Sequence, residues 1–114
     1  MYTIIIDVPR RETGIIHVPM DAEVYIHFKE DVTFCNNNRD AFAPYLPCNI
    51  FFKAGEAWGP AVPVQDADGV DVGFTWNSGH ERCKAPCEPV GRKKIVFDGG
   101  GHVIHVGSGG KLKR

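Results

Sequence analysis

The sequence predicts an all-β chain: a single-domain antiparallel β-sandwich of about seven strands. Three observations predict it. Apolar residues recur at every second position through much of the chain, which is the period of a half-buried strand. Thirteen glycines and eight prolines interrupt that pattern at short intervals. No window of about eleven residues carries a 3.6-residue apolar period free of Gly and Pro, so almost no helix is expected. The length of 114 residues fits one domain. Residues 1–106 are assigned to it, and 107–114 to a Gly-rich basic tail.

Tyr2–Val8 is the first expected strand and Ile15–Val18 the second. In Glu23–Phe28, Val24, Ile26 and Phe28 share a face. Lys29-Glu30-Asp31 is a turn, after which Val32 and Phe34 repeat the alternation. Asn36–Pro47 is the longest irregular segment, followed by a strand over Asn49–Lys53. Asp66-Ala67-Asp68-Gly69 has turn chemistry. It leads into the clearest strand, where Val70, Val72, Phe74 and Trp76 form one apolar side. Lys94–Phe97 and His102–Val106 are expected to pair as a hairpin across Asp98-Gly99-Gly100-Gly101. The faces Ile4/Ile6, Val24/Ile26/Phe28, Val32/Phe34, Phe74/Trp76 and Ile95/Phe97 are expected to meet in the centre. Each large side chain buried there contributes about 1.5–3 kcal/mol.

Composition narrows the function classes. The hydrophobic share of 43% suits a packed core. No apolar run approaches the ~20 residues of a membrane span. A net charge of −1 argues against a nucleic-acid partner. The charge is uneven: residues 1–81 hold 5 basic and 12 acidic side chains, and residues 82–114 hold 8 basic and 2 acidic. A solvated basic loop at Arg92, Lys93 and Lys94 with a basic tail is the simplest account, and no aromatic residues interleave with it as a stacking groove needs.

The N-terminal Met1–Asp7 lacks a basic region followed by a long apolar one, so it does not read as a secretory signal. Cysteine state decides the compartment: extracellular or periplasmic if Cys35, Cys48, Cys83 and Cys87 are disulfide-bonded, cytoplasmic otherwise. Four cysteines allow three connectivities. The local pairs 35–48 and 83–87 are the expected ones, with free buried thiols and a metal site as the alternatives.

Several strings resemble the cupredoxin-like (plastocyanin-like) β-sandwich family. Asp21–Ile26 is similar to its Gly-Asp-x-Val strand entry, and Val32-Thr33-Phe34-Cys35-Asn36-Asn37 to its Val-x-Phe-x-Asn signature. Phe52–Glu56 resembles its Ala-Gly turn, and Lys94–Gly99 the closing segment of copper-free members. The resemblance implies a cupredoxin-like or immunoglobulin-like sandwich over residues 1–106. A type 1 copper site needs two imidazoles and a thiolate with a weak axial thioether. Here no His lies between Cys35 and Cys48, His80 precedes Cys83 and Cys87, and the methionines are Met1 and Met20. The type 1 motif is absent, and the resemblance implies a member without that copper.

Candidate sites follow from the remaining chemistry. His80, Cys83 and Cys87 with His105, or with His102, could supply four N/S ligands for zinc or copper. His102 and His105 fall on opposite faces of one strand, and His17 and His27 need cross-strand partners before they can ligate. Asp66, Asp68, Gly69 and Asp71 lack calcium-loop spacing and read as a solvated turn. Ser78 and Ser108 have no nucleophile signature, and Cys83 beside His80 reads more readily as half of a disulfide, so no catalysis is expected. The 36–47 loop, with Trp58 downstream, is rich in amide and aromatic groups, and loops of that kind carry recognition on rigid scaffolds. Asn37, Asn38, Arg39, Phe42, Tyr45 and Trp58 are its candidate binding residues.

The expected function is a non-catalytic binding module without a cofactor. It would take a protein or small ligand on loops 36–47 and 78–92 at one end of the sandwich. The alternatives are a zinc or copper storage or electron-transfer protein, and a subunit self-assembling through its edge strands.

Overall fold

The structure, a computed structural model, describes residues 2–84, 87, 90 and 101–107. Among these residues there are nine strands, no α-helix and two single-turn 3-10 segments. The strands are β1 (Tyr2–Val8), β2 (Ile15–Val18), β3 (Ala22–Phe28), β4 (Val32–Asn36), β5 (Phe42–Ala43), β6 (Ile50–Phe52), β7 (Ala57–Pro63), β8 (Asp71–Ser78) and β9 (His102–Val106). They form a four-stranded sheet, β1-β3-β7-β5, and a five-stranded one, β2-β9-β8-β4-β6. The expected strand at 94–97, the hairpin turn before residue 101 and the tail at 108–114 lie outside the described residues.

The all-β expectation holds, but the sheets are mixed rather than antiparallel. β1 runs parallel to β3, and β2 runs parallel to β9. The cause is the connection after β1. Instead of turning back as a hairpin, residues 9–14 carry the chain from the four-stranded sheet to the five-stranded one. β1 therefore finds its neighbour two strands later, in a strand running its own way.

The inner faces of the two sheets close on one core, as alternation requires. Ile6, Val8, Val24, Ile26 and Phe28 come from one sheet, and Val18, Val32, Phe34, Val72, Phe74, Ile104 and Val106 from the other. Phe28 links them: its ring lies edge-on to Phe34 at 6.1 Å and stacks on Phe52 at 4.0 Å. Dispersion and loss of apolar hydration act on the same atoms here.

β5 and β7 carry no sequence signal that predicts them. β5 is two residues long. β7 reads Ala57-Trp58-Gly59-Pro60-Ala61-Val62-Pro63, and its Gly and Pro residues look like strand breakers. The strand survives through a bulge. Pairing passes from Val24↔Ala61 to Ile26↔Trp58, so β7 carries one extra residue, absorbed around Gly59-Pro60. Gly59 has φ +123, and a Cβ there would stand 2.5 Å from the Val24 carbonyl oxygen. A side chain at 59 would meet both a left-handed backbone and a neighbouring strand.

Gly59→Ala is therefore expected to lower unfolding free energy by about 2–4 kcal/mol in urea titrations. Gly14→Ala, at φ +116 with open space around it, is expected to lose only about 1 kcal/mol. Equal losses would show that the contact with β3 is not the cause.

Candidate functional site

β4 is buried at all five positions. Val32, Phe34 and Asn36 face inward, and Thr33 and Cys35 face out. The outer face is covered by the chain that leaves β8. At Gly79 that chain reverses, its N–H donating to the Asp31 carbonyl at 2.9 Å. The Thr33 hydroxyl donates to the Gly79 carbonyl at 2.7 Å. Asn77 Nδ2 donates to the carbonyls of Glu81 and Arg82, and the Cys83 N–H donates to Asn49 Oδ1 at 2.9 Å. Residues 79–83 thus form a strap along β4.

The strap sets the cysteine pairing, which is Cys35–Cys83 and Cys48–Cys87, with Cα separations of 5.8 and 6.1 Å. The expected pairs 35–48 and 83–87 are incorrect. Nearness in sequence favoured them, but the outward-facing Cys35 lies under the returning strap, which delivers Cys83 to it. The chain before Asn49 runs beside the same strand, its Asn49 N–H donating to the Phe34 carbonyl at 2.7 Å. That brings Cys48 within reach of Cys87. The two long loops also leave from opposite ends of β4, because Val32 pairs with Ser78. The strap and the two disulfides join them.

The four expected metal ligands are not brought together. Cys83 and Cys87 are each bonded to another sulfur, so neither offers a thiolate. The exposed His80 ring stacks on Phe51 at 3.7 Å. His105 lies on β9, its Nδ1 2.6 Å from Asp71 Oδ1. Among the described residues no group of three or more His, Cys, Asp or Glu side chains is arranged to hold a metal ion.

The asparagines of the 36–47 loop face inward. Asn36, Asn37 and Asn38 are at most 3% exposed. Asn36 Nδ2 donates to the Pro47 carbonyl at 2.7 Å, and its Oδ1 accepts the Asn38 N–H at 2.8 Å. Asn37 Oδ1 accepts the Gly73 N–H at 2.8 Å, and Asn38 Nδ2 donates to the Asp71 carbonyl at 2.9 Å. Buried amides need such partners, and here they anchor the loop to β8. Phe42 is fully buried. Trp58 is half-buried near the start of β7, away from Pro63, the residue that faces Phe42. Of the six expected binding residues, Arg39 and Tyr45 remain together on the surface, Tyr45 62% exposed with the Arg39 guanidinium 5.7 Å from its ring centre.

A concavity lies at the other end, where β1 leaves its sheet. It is a cleft of about 900 Å³. Ile5, Ile6, Ile16 and Trp76 give it apolar surface, Arg10, Arg11 and Lys29 cations, and Asp7, Glu12 and Glu30 anions. His102 stacks on Trp76 at 4.9 Å and lies 5.4 Å from Phe74. Its imidazole is held below the ordinary value of 6.5, first by burial and then by the Arg10 charge. The cleft draws residues from β1, the 9–12 crossover, β2, the 29–30 turn and β8. Of these residues the sequence marks Ile6 and Trp76 as strand-face positions and Lys29-Glu30 as part of a turn, and nothing in it brings them together.

Compared with known proteins, the chain matches no family model, no curated protein and no solved structure.

Non-reducing peptide maps are expected to contain the 35–83 and 48–87 links only. Replacing both Cys35 and Cys83 by Ala leaves Cys48–Cys87 in place, so it opens only the short loop through that second link and is expected to cost about 3 kcal/mol of stability, by the loop-entropy relation. His102 binds fewer protons when folded than when unfolded. Its contribution is complete above the unfolded value near 6.5 and is lost as pH falls through the lower folded value. Stability measured by urea unfolding is expected to decline on acidification through that window, and less so in His102→Phe. Matching slopes in both proteins would acquit His102.

Proposed function

We propose that the chain is a non-catalytic recognition module of an oxidising compartment that takes an extended peptide segment of a partner protein in the cleft beside β1. One observation carries the reading. Ile5, Ile6 and Asp7 are consecutive, so their side chains alternate between faces, yet all three line the cleft. A cleft can meet three consecutive strand residues only along the strand's edge. Among the described residues β1 pairs with β3 alone, which leaves its other edge open.

An open sheet edge inside a concavity suits strand addition. Main-chain hydrogen bonds supply affinity, and alternate side chains supply specificity. The size of the cleft falls within the roughly 300–1,000 Å³ range of ligand sites. Its three cations and three anions favour a peptide of mixed charge over a polyanion. Ile5, Ile16 and Trp76 offer apolar seats. Two disulfides support an extracellular or periplasmic setting. The resemblance to copper-free cupredoxin-like domains belongs to the same reading, since it asks for no metal at the cysteine-rich loop.

The test is selection from a phage-displayed random peptide library on the purified, oxidised protein. Selected peptides are expected to bind wild type and to lose more than about tenfold affinity for Trp76→Ala and Arg10→Glu, with Tyr45→Ala unchanged. Backbone N-methylation at alternate peptide positions is expected to abolish binding while leaving the domain untouched. A loss confined to Tyr45→Ala would move recognition to the Arg39–Tyr45 pair. Absence of any enriched peptide, or a light-scattering mass of two chains lost in Ile5→Lys, would replace peptide capture by no capture or by self-pairing through β1.

A further inference from the structure

We infer that the outer face of the five-stranded sheet carries a binding site for a divalent transition-metal ion, zinc or copper, formed by His17 and His105 with Asp71 positioning His105. His17 and His105 are register partners on the parallel strands β2 and β9. Asp71 is the register partner of His105 on β8. The three side chains therefore form one row across three adjacent strands, on the face away from the core.

The row has the chemistry of a metal site. Asp71 Oδ1 lies 2.6 Å from His105 Nδ1. A carboxylate at that distance holds the proton on Nδ1 and leaves Nε2 with its lone pair. That Nε2 is buried and has no hydrogen-bond partner among the described residues. An unmet acceptor of this kind is costly, and a cation satisfies it. Carboxylate support of a ligating imidazole is the usual way a protein orients such a ligand.

His17 supplies the second nitrogen. Its ring stands edge to face with that of His105, with centroids 5.8 Å apart. Two imidazoles sharing one ion at about 2.0–2.1 Å in tetrahedral geometry have centroids roughly 5 Å apart. Binding needs a rotation of the exposed His17 that both closes that difference and opens the buried His105 Nε2 to the ion, while Asp71 holds the His105 ring, 12% exposed, in place. Water completes the coordination of a two-imidazole site. Imidazole suits zinc and copper, and the disulfide-bonded cysteines do not compete. His102 is turned to the core with Phe74 and Trp76, and His80 is stacked on Phe51. The site shares no residue with the cleft, so it stands or falls independently of peptide recognition.

Titration of the oxidised protein with zinc chloride, followed by calorimetry and imidazole nitrogen NMR, tests the site. Copper chloride followed by electron paramagnetic resonance reads the nitrogen ligands directly. One ion per chain is expected, with the resonances of His17 and His105 shifting together and two imidazole nitrogens coupled to copper. His17→Ala, an exposed change at a sheet edge, is expected to weaken binding more than about tenfold, and Asp71→Asn about 10–100-fold. Asp71→Asn is also expected to shift the His105 tautomer away from Nδ1–H, with Asp71→Glu restoring it. His80→Ala and His27→Ala are expected to bind as wild type. Unchanged affinity in His17→Ala, affinity lost with His80→Ala instead, or silent His17 and His105 resonances at millimolar zinc would each overturn the site.

Discussion

Everything in this domain is organised around a strand that has no solvent-facing side. β4 contributes Val32 and Phe34 to the core and turns Thr33 and Cys35 to a strap that seals them in. A strand buried on both faces must satisfy its polar groups from within. Thr33 does so by donating to the Gly79 carbonyl, and Asn36 through Pro47 and Asn38. Leaving any of these unmet costs more than the bond itself contributes. The strap is thus part of the fold, and the two disulfides hold it there. A chain of this size buries a limited core, so cross-links that restrict the unfolded state have real weight.

Because β4 is sealed, its two ends become different places. Beyond Asn36 the loop is drawn inward by three buried asparagines and by Phe42, and it shows little to solvent except Arg39, Tyr45 and their close neighbours. Near Val32 the crossover of residues 9–12, the Lys29-Glu30 turn and Trp76 surround an open cleft. The amide-rich loop serves as an internal anchor, and the charged crossover forms the concave surface. Side-chain alternation then divides β9 between two environments. His102 faces Phe74 and Trp76 on the inside, and His105 faces Asp71 and His17 on the outside.

Strands whose two sides differ in polarity were legible one by one. β1, β2 and β9 have the expected ends, and β3, β4, β6 and β8 lie within a residue or two of them. β7 was not legible, because Gly59, Pro60 and Pro63 speak against a strand until a bulge and the passing backbone of β3 accommodate them. Asn37, Asn38 and Phe42 were legible as unusual residues in a loop, but whether such groups point outward or inward depends on what passes beneath them. Here Asp71 and Gly73 of β8 pass beneath. The metal ligands expected at residues 80–87 failed for a related reason: each cysteine there has a sulfur partner from far earlier in the chain.

The sequence by itself determined the all-β class, the faces of most strands and the placement of His102 and His105 on opposite sides. All of these follow from a two-residue period that is a local property of the extended chain. Only the tertiary structure decided the parallel pairing of β1 with β3 and of β2 with β9, the long-range disulfides, the cleft beside β1 and the row His17–His105–Asp71. Each depends on which distant segments lie side by side. That choice is made by the closing of the two sheets around Phe28, Phe34 and Phe74, and no local pattern along the chain encodes it.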